Sequence, residues 1–357
     1  MTAEWLVADS LWWDGRLRPG GALRIGDGPA TPVDAGDVPP GAARRRLPGT
    51  LLPGLVDAHV HSALVDLGTV RAGGIACVWD LGGVPAAVAG LASRAERPGS
   101  GLPRVRFAGP FLTAPGGYPS DRPWAPAGSC RPVRSAADAG AAVGEAESGG
   151  ATLIKVTAHA GGPMLDPPVF AALVEAAHAA GLPVVVHAEG PGTVAAAVDA
   201  GADLLAHTPW TEPLDDGLIR AAAGMTWLST LDIHGWGEQT RAWDTAVGNL
   251  RRFLGYGGTV RYGTDLGNGP LPPAVNPREV RGLQAAGLTP DQVLTAMTGF
   301  SGPAAGAASR PAVAAGDSAL AVEPCWVAAG LDLDPDRFAD VLATARVVGP
   351  EVRPRPG

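Results

Sequence analysis

The stretch LPVVVHAEGPGTVAAAVDAGADLLAHT, residues 182–208, decides the fold. Two short apolar runs, PVVVHAE and ADLLAHT, flank a segment of helical spacing at 193–201, which ends at a glycine as a helix C-cap would. Another helix candidate, VFAALVEAAHAAG at 169–181, precedes them. Buried strands that alternate with helices are typical of a parallel sheet covered by helices.

The same alternation extends over residues 50–306. The apolar runs are TLLPGLVDAHVH, GIACVWDL, PRVRFAGPFLT, ATLIKVTAH, LPVVVHAE, ADLLAHT, MTWLSTLDIH and GTVRYGTDLG. Eight buried strands alternating with helices over about 250 residues predict an α/β fold, a (β/α)8 TIM barrel. A doubly wound sheet reads similarly through its first half, so the strand count alone leaves that alternative open.

Both ends of the chain differ from this central part. Residues 1–49 contain the strand-like pieces EWLVADSLWW and GALRIGD, and residues 307–357 contain DSALAVE and ATARVVG. We expect these two terminal segments to pair into one small composite β-sandwich domain beside the barrel of residues 50–306.

Composition excludes several classes of function. The chain of 357 residues is 46% hydrophobic with a net charge of -8, and its largest basic cluster is the RRR of residues 44–46. No apolar run reaches the roughly 18 residues of a membrane span. We therefore expect a cytoplasmic protein with a small-molecule substrate and neither nucleic acid nor membrane as a partner, while a homo-oligomer stays open. Three widely spaced cysteines form no disulfide framework.

Polar residues fall at the ends of the predicted strands. His59 and His61 end the first strand in DAHVH, and side chains two apart on a strand point to the same side. His187, His207 and Asp265 end the fifth, sixth and eighth strands. Taken singly, each has a plain structural reading as a core histidine or a turn aspartate. Reactive groups gather at the carboxyl ends of barrel strands, so four of the seven histidines at these ends together predict a metal site.

Lys155 is the only lysine in the chain, and it lies inside the apolar run LIKV of the fourth strand. A buried ammonium is costly, which leaves two readings. The residue is a chance survivor of a coding bias toward arginine, or the position needs an amine that can lose its proton, which arginine cannot do.

The segments PGLVDAHVH, IKV, VHAEG, GADLLAH and YGTDLG, in this order and spacing, resemble the amidohydrolase superfamily, specifically its imidazolonepropionase-like and prolidase-like branch. The resemblance covers about residues 50–306. It implies a centre of two divalent metal ions, usually zinc. The residues that it assigns are His59, His61 and Asp265 to one ion, His187 and His207 to the other, and an N-carboxylated Lys155 to the bridge between them.

This resemblance implies a metal-dependent hydrolase that acts on C–N bonds. A metal-activated hydroxide would attack an amide, a dipeptide-like substrate or a cyclic amide, with Asp265 as general base and then acid. One alternative is a mononuclear deaminase or ring-opening hydrolase with Lys155 unmodified. Another is a non-hydrolytic or non-catalytic descendant that binds a small molecule.

Four further residues are candidates for substrate contacts. The Gly/Pro-rich loop of residues 113–130 is suited to covering a pocket and supplies Tyr118 and Arg122, the latter for a substrate carboxylate. His159 follows Lys155 by four residues, and His234 falls near the end of the seventh strand.

Two other titratable residues near these strands are placed outside the site. Glu189, two residues past His187, is interpreted as lying on the opposite face of its strand. His178 lies in the middle of a predicted helix and is interpreted as a solvated surface residue.

Overall fold

The computed structural model describes residues 4–26, 28–298 and 323–349. The strands are β1 (Glu4–Trp13), β2 (Arg16–Gly26), β3 (Gly28–Asp34), β4 (Arg44–Leu52), β5 (Val56–Val60), β6 (Cys77–Asp80), β7 (Arg104–Phe107), β8 (Phe111–Thr113), β9 (Cys130–Pro132), β10 (Ile154–His159), β11 (Val184–Glu189), β12 (Leu204–Leu205), β13 (Thr226–Leu228), β14 (Thr259–Arg261), β15 (Cys325–Val327) and β16 (Arg346–Val347). The helices are α1 (Leu67–Ala72), α2 (Pro85–Ala95), α3 (Ala136–Ser148), α4 (Pro167–Ala179), α5 (Thr193–Asp199), α6 (Asp216–Ala222), α7 (Arg241–Gly255), α8 (Pro277–Ala285), α9 (Pro290–Thr298) and α10 (Pro335–Leu342).

Seven strands of the central part form a sheet in the order β14-β13-β12-β11-β10-β8-β9, and every neighbouring pair in it is parallel. A second parallel sheet contains β5, β6 and β7. Helices connect most of these strands, as parallel pairing requires. The predicted α/β fold with a parallel sheet is therefore confirmed.

Backbone hydrogen bonds join both edge strands of the three-stranded sheet, β5 and β7, to segments next to strands of the seven-stranded sheet. The Thr152 N–H donates to the Phe107 carbonyl (2.9 Å), which ties the end of β7 to the segment before β10. The Ala58 N–H donates to the Tyr262 carbonyl (2.9 Å), and the His61 N–H donates to the Leu266 carbonyl (2.8 Å). The first of the eight predicted strands thus lies beside the last.

The third predicted strand, PRVRFAGPFLT, is two strands in the structure. Gly109 adopts a positive φ of 75°, and Pro110 has no N–H to donate, so the run breaks between β7 and β8. β7 pairs with β6, whereas β8 pairs with β10. This one apolar run therefore contributes to both parallel sheets.

The alternation of side chains along β10 and β11 determines which residues point to the site. Ile154 and Val156 belong to the large core under the helices, so Lys155 between them points to the opposite side. Val185 belongs to a separate small cluster with residues of β5, β6, β12 and β13. His187, two residues further along β11, shares the side of Val185.

Strands from both ends of the chain share one six-stranded sheet in the order β16-β15-β4-β1-β2-β3. β4 runs from Arg44 to Leu52 and thus crosses the boundary expected at residues 49–50. The predicted strand ATARVVG contains β16, whereas most of the predicted strand DSALAVE lies outside the described residues. Among the described residues, the structure contains no helix with the length and apolar character to cross a bilayer.

Candidate metal centre

One buried carboxylate contacts both histidines at the end of β5. Asp265 Oδ1 lies 3.0 Å from His59 Nε2 and 3.2 Å from His61 Nε2, and all three side chains are buried. The residues come from opposite ends of the central part of the chain, and the contact of β5 with the segment after β14 brings them together.

Backbone carbonyls fix the proton positions on these two imidazoles. His59 Nδ1 lies 2.8 Å from the Ala206 carbonyl oxygen and His61 Nδ1 lies 3.2 Å from that of Gly82. A carbonyl only accepts, so each Nδ1 carries a proton, and each Nε2 of a neutral ring presents a lone pair to the carboxylate.

Charge at this first group favours a bound cation. Burial lowers the pKa of His59 to about 4, against the attraction of Asp265, so its ring is neutral at pH 7. Its Nε2 makes no aligned hydrogen bond despite its contact with Asp265. Burial also lowers the pKa of His61, but the hydrogen bond and charge of Asp265 outweigh it, and the net pKa is raised. The lone pair of neutral His59, which faces the Asp265 oxygen at 3.0 Å, is repelled by it unless a proton or a metal ion lies between the two atoms.

A second pair of imidazoles lies at the ends of β11 and β12. His207 Nε2 and His187 Nδ1 are 3.0 Å apart. The outer nitrogens are occupied, because His187 Nε2 lies 3.0 Å from Glu189 Oε2 and His207 Nδ1 lies 3.0 Å from Thr230 Oγ1. A carboxylate only accepts, so His187 carries its proton on Nε2 and turns the lone pair of Nδ1 toward His207. Burial lowers the pKa of both rings.

Lys155 lies among both groups. Its charge lowers the pKa of His59, His61, His187 and His207 alike. Burial lowers the pKa of the Lys155 amine to about 7, against the opposing attraction of Asp265 and Asp80. A substantial fraction of this amine is therefore neutral near pH 7, as expected for a position that needs an amine able to lose its proton.

Asp265 is held in an unusual backbone conformation. Its φ is +59°, a left-handed value that a residue with a side chain adopts only when its surroundings enforce it. The preceding Thr264 donates its hydroxyl (2.6 Å) and its N–H (3.0 Å) to the buried carboxyl of Asp57, which also accepts from the His59 N–H. Asp57 thus couples the position of Asp265 to that of His59.

The available donor atoms fit a divalent metal ion. Ligand atoms of His59, His207 and Asp265, all buried, lie within 4.8 Å of one another. Imidazole nitrogens and carboxylate oxygens are ligands that zinc, manganese, iron and cobalt accept. Burial raises the pKa of Asp265, but the neighbouring His59 and His61 outweigh it, so the pKa lies well below its usual range and the carboxyl is ionised.

Three of the four candidate substrate contacts, Tyr118, His159 and His234, lie close to the candidate ligands or to rings that contact them. The Tyr118 ring stacks on His187 at 4.6 Å between ring centres and lies 5.3 Å from the ring of His159. His234 stacks on Trp210 at 4.7 Å. Arg122 lies further out, where its guanidinium is 5.5 Å from the Tyr118 ring.

Sequence reasoning misplaced Glu189. Its carboxylate contacts His187 Nε2 at 3.0 Å and His159 Nδ1 at 3.2 Å, so the interpretation that it faces away from His187 is wrong. Residues two apart on a strand share a side, and this period would have placed Glu189 correctly. His178 is partly buried rather than solvated and pairs with Asp203 at 2.8 Å.

Sequence reasoning also missed two indole rings beside the candidate ligands. Trp124 lies 5.9 Å from His61 and Trp210 lies 5.3 Å from His207 between ring centres. Both belong to loops, where the sequence carries no periodic signal of side-chain direction.

Comparison with known proteins gives matches in structure alone. No protein-family model and no curated protein matches the sequence. The fold is similar to that of a provisionally named prolidase from Bifidobacterium longum (21% identity, TM-score 0.75, 100% of this chain and 96% of that chain). It is also similar to A. niger ochratoxinase (19%, 0.72, 96% and 94%) and to a prolidase complexed with N-methylphosphonate-L-proline (19%, 0.69, 97% and 97%). The chain therefore has the fold of amidohydrolase structures, and the resemblance seen in its sequence is confirmed at the level of the fold.

Proposed function

We propose that the protein is a metal-dependent amidohydrolase that cleaves a C–N bond in a small molecule, namely an amide, a dipeptide-like compound or a cyclic amide. The convergence of ring nitrogens from four imidazoles and of one carboxylate around a buried lysine carries this proposal. Similar structures with the names prolidase, ochratoxinase, molinate hydrolase and phenylurea hydrolase B support a hydrolase.

We further propose that residues 50–306 form a closed (β/α)8 TIM barrel, with residues 1–49 and 307–357 in a composite β-sandwich domain. Hydrogen bonds from both edge strands of the three-stranded sheet to segments beside β10 and β14 support closure. The separation of apolar residues into a cluster under the helices and a second one among the strands supports it too. The cytoplasmic location expected from the sequence stays a prediction.

Two divalent ions, which we propose to be zinc, would be held by the residues that the resemblance implies. His59, His61 and Asp265 would hold one ion, His187 and His207 the other, and Lys155 as an N-carboxylate would bridge them. Carbamate formation requires a neutral amine, and the lowered pKa of Lys155 supplies one. When bound, such ions supply Lewis acidity, which makes water more acidic and a carbonyl more electrophilic.

The protein's own residues then move the protons. Asp265 is buried and ionised, so its carboxylate can accept a proton from the attacking water and return it to the leaving nitrogen. Asp57 and Thr264 keep this carboxylate in position during both transfers. Tyr118, Arg122, His159 and His234 are proposed to contact the substrate. Burial of Tyr118 raises the pKa of its phenol, so the hydroxyl stays neutral and can donate a hydrogen bond.

Metal analysis combined with one variant tests this function. We expect nearly two equivalents of metal per chain and hydrolysis of at least one compound in a panel of N-acyl amino acids, dipeptides and hydantoin-like rings. Lys155→Ala should lose activity and regain part of it with short carboxylic acids, which replace the carbamate oxygens. One equivalent of metal together with an indifferent Lys155→Ala would contradict the bridging lysine and favour the mononuclear alternative. Full metal loading without turnover would favour the binding-only alternative.

A further inference from the structure

Exposed apolar side chains concentrate at one end of the parallel sheets. Among the described residues, the large hydrophobic side chains that are exposed are Leu17, Leu64, Trp124, Met164, Trp236 and Tyr256. Four of these six lie on loops that follow β5, β8, β10 and β13, namely Leu64, Trp124, Met164 and Trp236. These loops leave the carboxyl ends of the strands, which is the end that carries the candidate metal ligands. Exposed apolar surface gathered at one place indicates a binding site.

Three aromatic rings at this end directly contact candidate ligands, and we name them the aromatic collar: Tyr118, Trp124 and Trp210. Tyr118 stacks on His187 at 4.6 Å, Trp124 lies 5.9 Å from His61, and Trp210 lies 5.3 Å from His207. The ring centres of Tyr118 and Trp124 are also 6.1 Å apart, so these two rings are neighbours.

The collar differs from the aromatic residues that stabilise the core. Trp227 and Phe253 stack at 3.8 Å and are both fully buried, so their packing is complete within the protein. Trp124, in contrast, is 37% exposed, and Tyr118 and Trp210 are only partly buried. The collar therefore leaves ring surface that a ligand can cover beside the reacting groups.

Resting on the proposed hydrolytic function, we propose that the aromatic collar selects amides that carry a flat aromatic group next to the scissile C–N bond. Aromatic rings prefer offset-stacked or edge-to-face contacts with other rings, and rigid Trp and Tyr side chains lose little conformational freedom when they bind. A planar ring can enter between side chains arranged in this way, whereas a puckered saturated ring of the same size cannot stack. Removal of one collar ring should reduce the preference for aromatic substrates on the order of tenfold.

A panel of four amides tests this selection with metal-loaded protein. N-acetylphenylalanine and N-benzoylalanine place a phenyl ring on either side of the amide, N-acetylcyclohexylalanine replaces the phenyl by a saturated ring, and N-acetylalanine carries neither. Affinity by titration calorimetry and kcat/KM are both measured for wild type, Trp124→Leu and Trp210→Leu. Tyr256→Leu is the matched control, because Tyr256 is a similarly exposed ring (39%) between α7 and β14, away from the carboxyl ends of the strands.

In affinity and kcat/KM, wild type should favour at least one phenyl compound over both the cyclohexyl and the alanine compound. Trp124→Leu or Trp210→Leu should lose that preference, and Tyr256→Leu should retain it. Equal affinities and rates across the panel, no measurable binding of any member, or an unchanged preference in both tryptophan variants would overturn the collar. Preferential binding of the phenyl compounds without any hydrolysis would instead refute the proposed function and leave the collar standing. Hydrolysis without any preference for the phenyl compounds would support the proposed function and overturn the collar.

Discussion

Replacing Lys155 by methionine should stabilise the metal-free protein. Burial lowers the pKa of this lysine from 10.5 to about 7, so the folded state holds a group whose protonated form it disfavours. Each pKa unit corresponds to about 1.4 kcal/mol, which gives a cost of about 4 kcal/mol to the folded state at pH 7. Methionine has a similar length and no charge, so Lys155→Met should raise the free energy of unfolding by about this amount.

The stability that Lys155→Met gains over wild type should decrease as the pH rises. In the unfolded chain, Lys155 keeps its proton up to about pH 10.5, whereas in the folded protein it loses the proton above about pH 7. Between these values the unfolded state binds more protons, so wild-type stability rises with pH. The difference between Lys155→Met and wild type should therefore fall from about 4 kcal/mol at pH 7 to about 2 kcal/mol at pH 9.

Guanidinium denaturation of chelator-treated protein, followed by circular dichroism at pH 7 and pH 9, measures both differences. Lys155→Arg is the matched control: its guanidinium stays charged at both pH values, so this variant should be less stable than wild type, with no narrowing of the difference. A methionine variant that is less stable than wild type, or a difference that grows with pH, would refute the account of Lys155 as an amine forced toward neutrality.

Three further predictions concern residues around the candidate centre. Glu189→Gln should weaken metal binding by about 10- to 100-fold, measured by competition with a chromophoric chelator, because the carboxylate keeps the proton of His187 on Nε2; unchanged affinity would contradict this role. Asp265→Asn should lower kcat by about 100-fold or more with an unchanged circular dichroism spectrum, and retention of most activity would show that another group moves the protons. Glu279→Gln should lower the free energy of unfolding by about 1–3 kcal/mol, because the Leu231 and Asp232 N–H groups donate to its two buried oxygens (2.9 and 2.7 Å); a neutral effect in denaturation would be the opposing result.

The sequence was sufficient to predict the parts of the molecule that follow a strict period. His59, His187 and His207 lie within two residues of the carboxyl ends of β5, β11 and β12, as expected, because short apolar runs of buried parallel strands stop where polar groups begin. The resemblance then linked these ends with Lys155 and Asp265, and the structure brings their side chains close together. The alternation of side chains along a strand determines the side to which each one points. When polar side chains near the ends of successive strands point to the same side, a shared site can be predicted.

Predictions failed or were missing where the backbone leaves that period. Gly109 and Pro110 divide one apolar run into β7 and β8, and a run of apolar letters alone does not indicate such a break. Trp124 and Trp210 lie in loops, whose conformation depends on contacts distant in sequence. Glu189 is different, because the period of two along a strand predicts the side that it shares with His187 in the structure.

Residues near strand ends and residues in loops have different consequences for function. The ring orientations of His59 and His61 are fixed by carbonyl groups of Ala206 and Gly82, which belong to segments directly after other strands of the parallel sheets. The direction of these two Nε2 atoms is therefore set by backbone groups, and side-chain substitutions in the outer loops should leave it unchanged. The collar rings, in contrast, depend on loops such as residues 113–130 that can vary without moving a strand. Changes in those loops should alter which amides bind while the affinity of the proposed metal centre stays the same, so we expect metal binding and substrate preference to be separable.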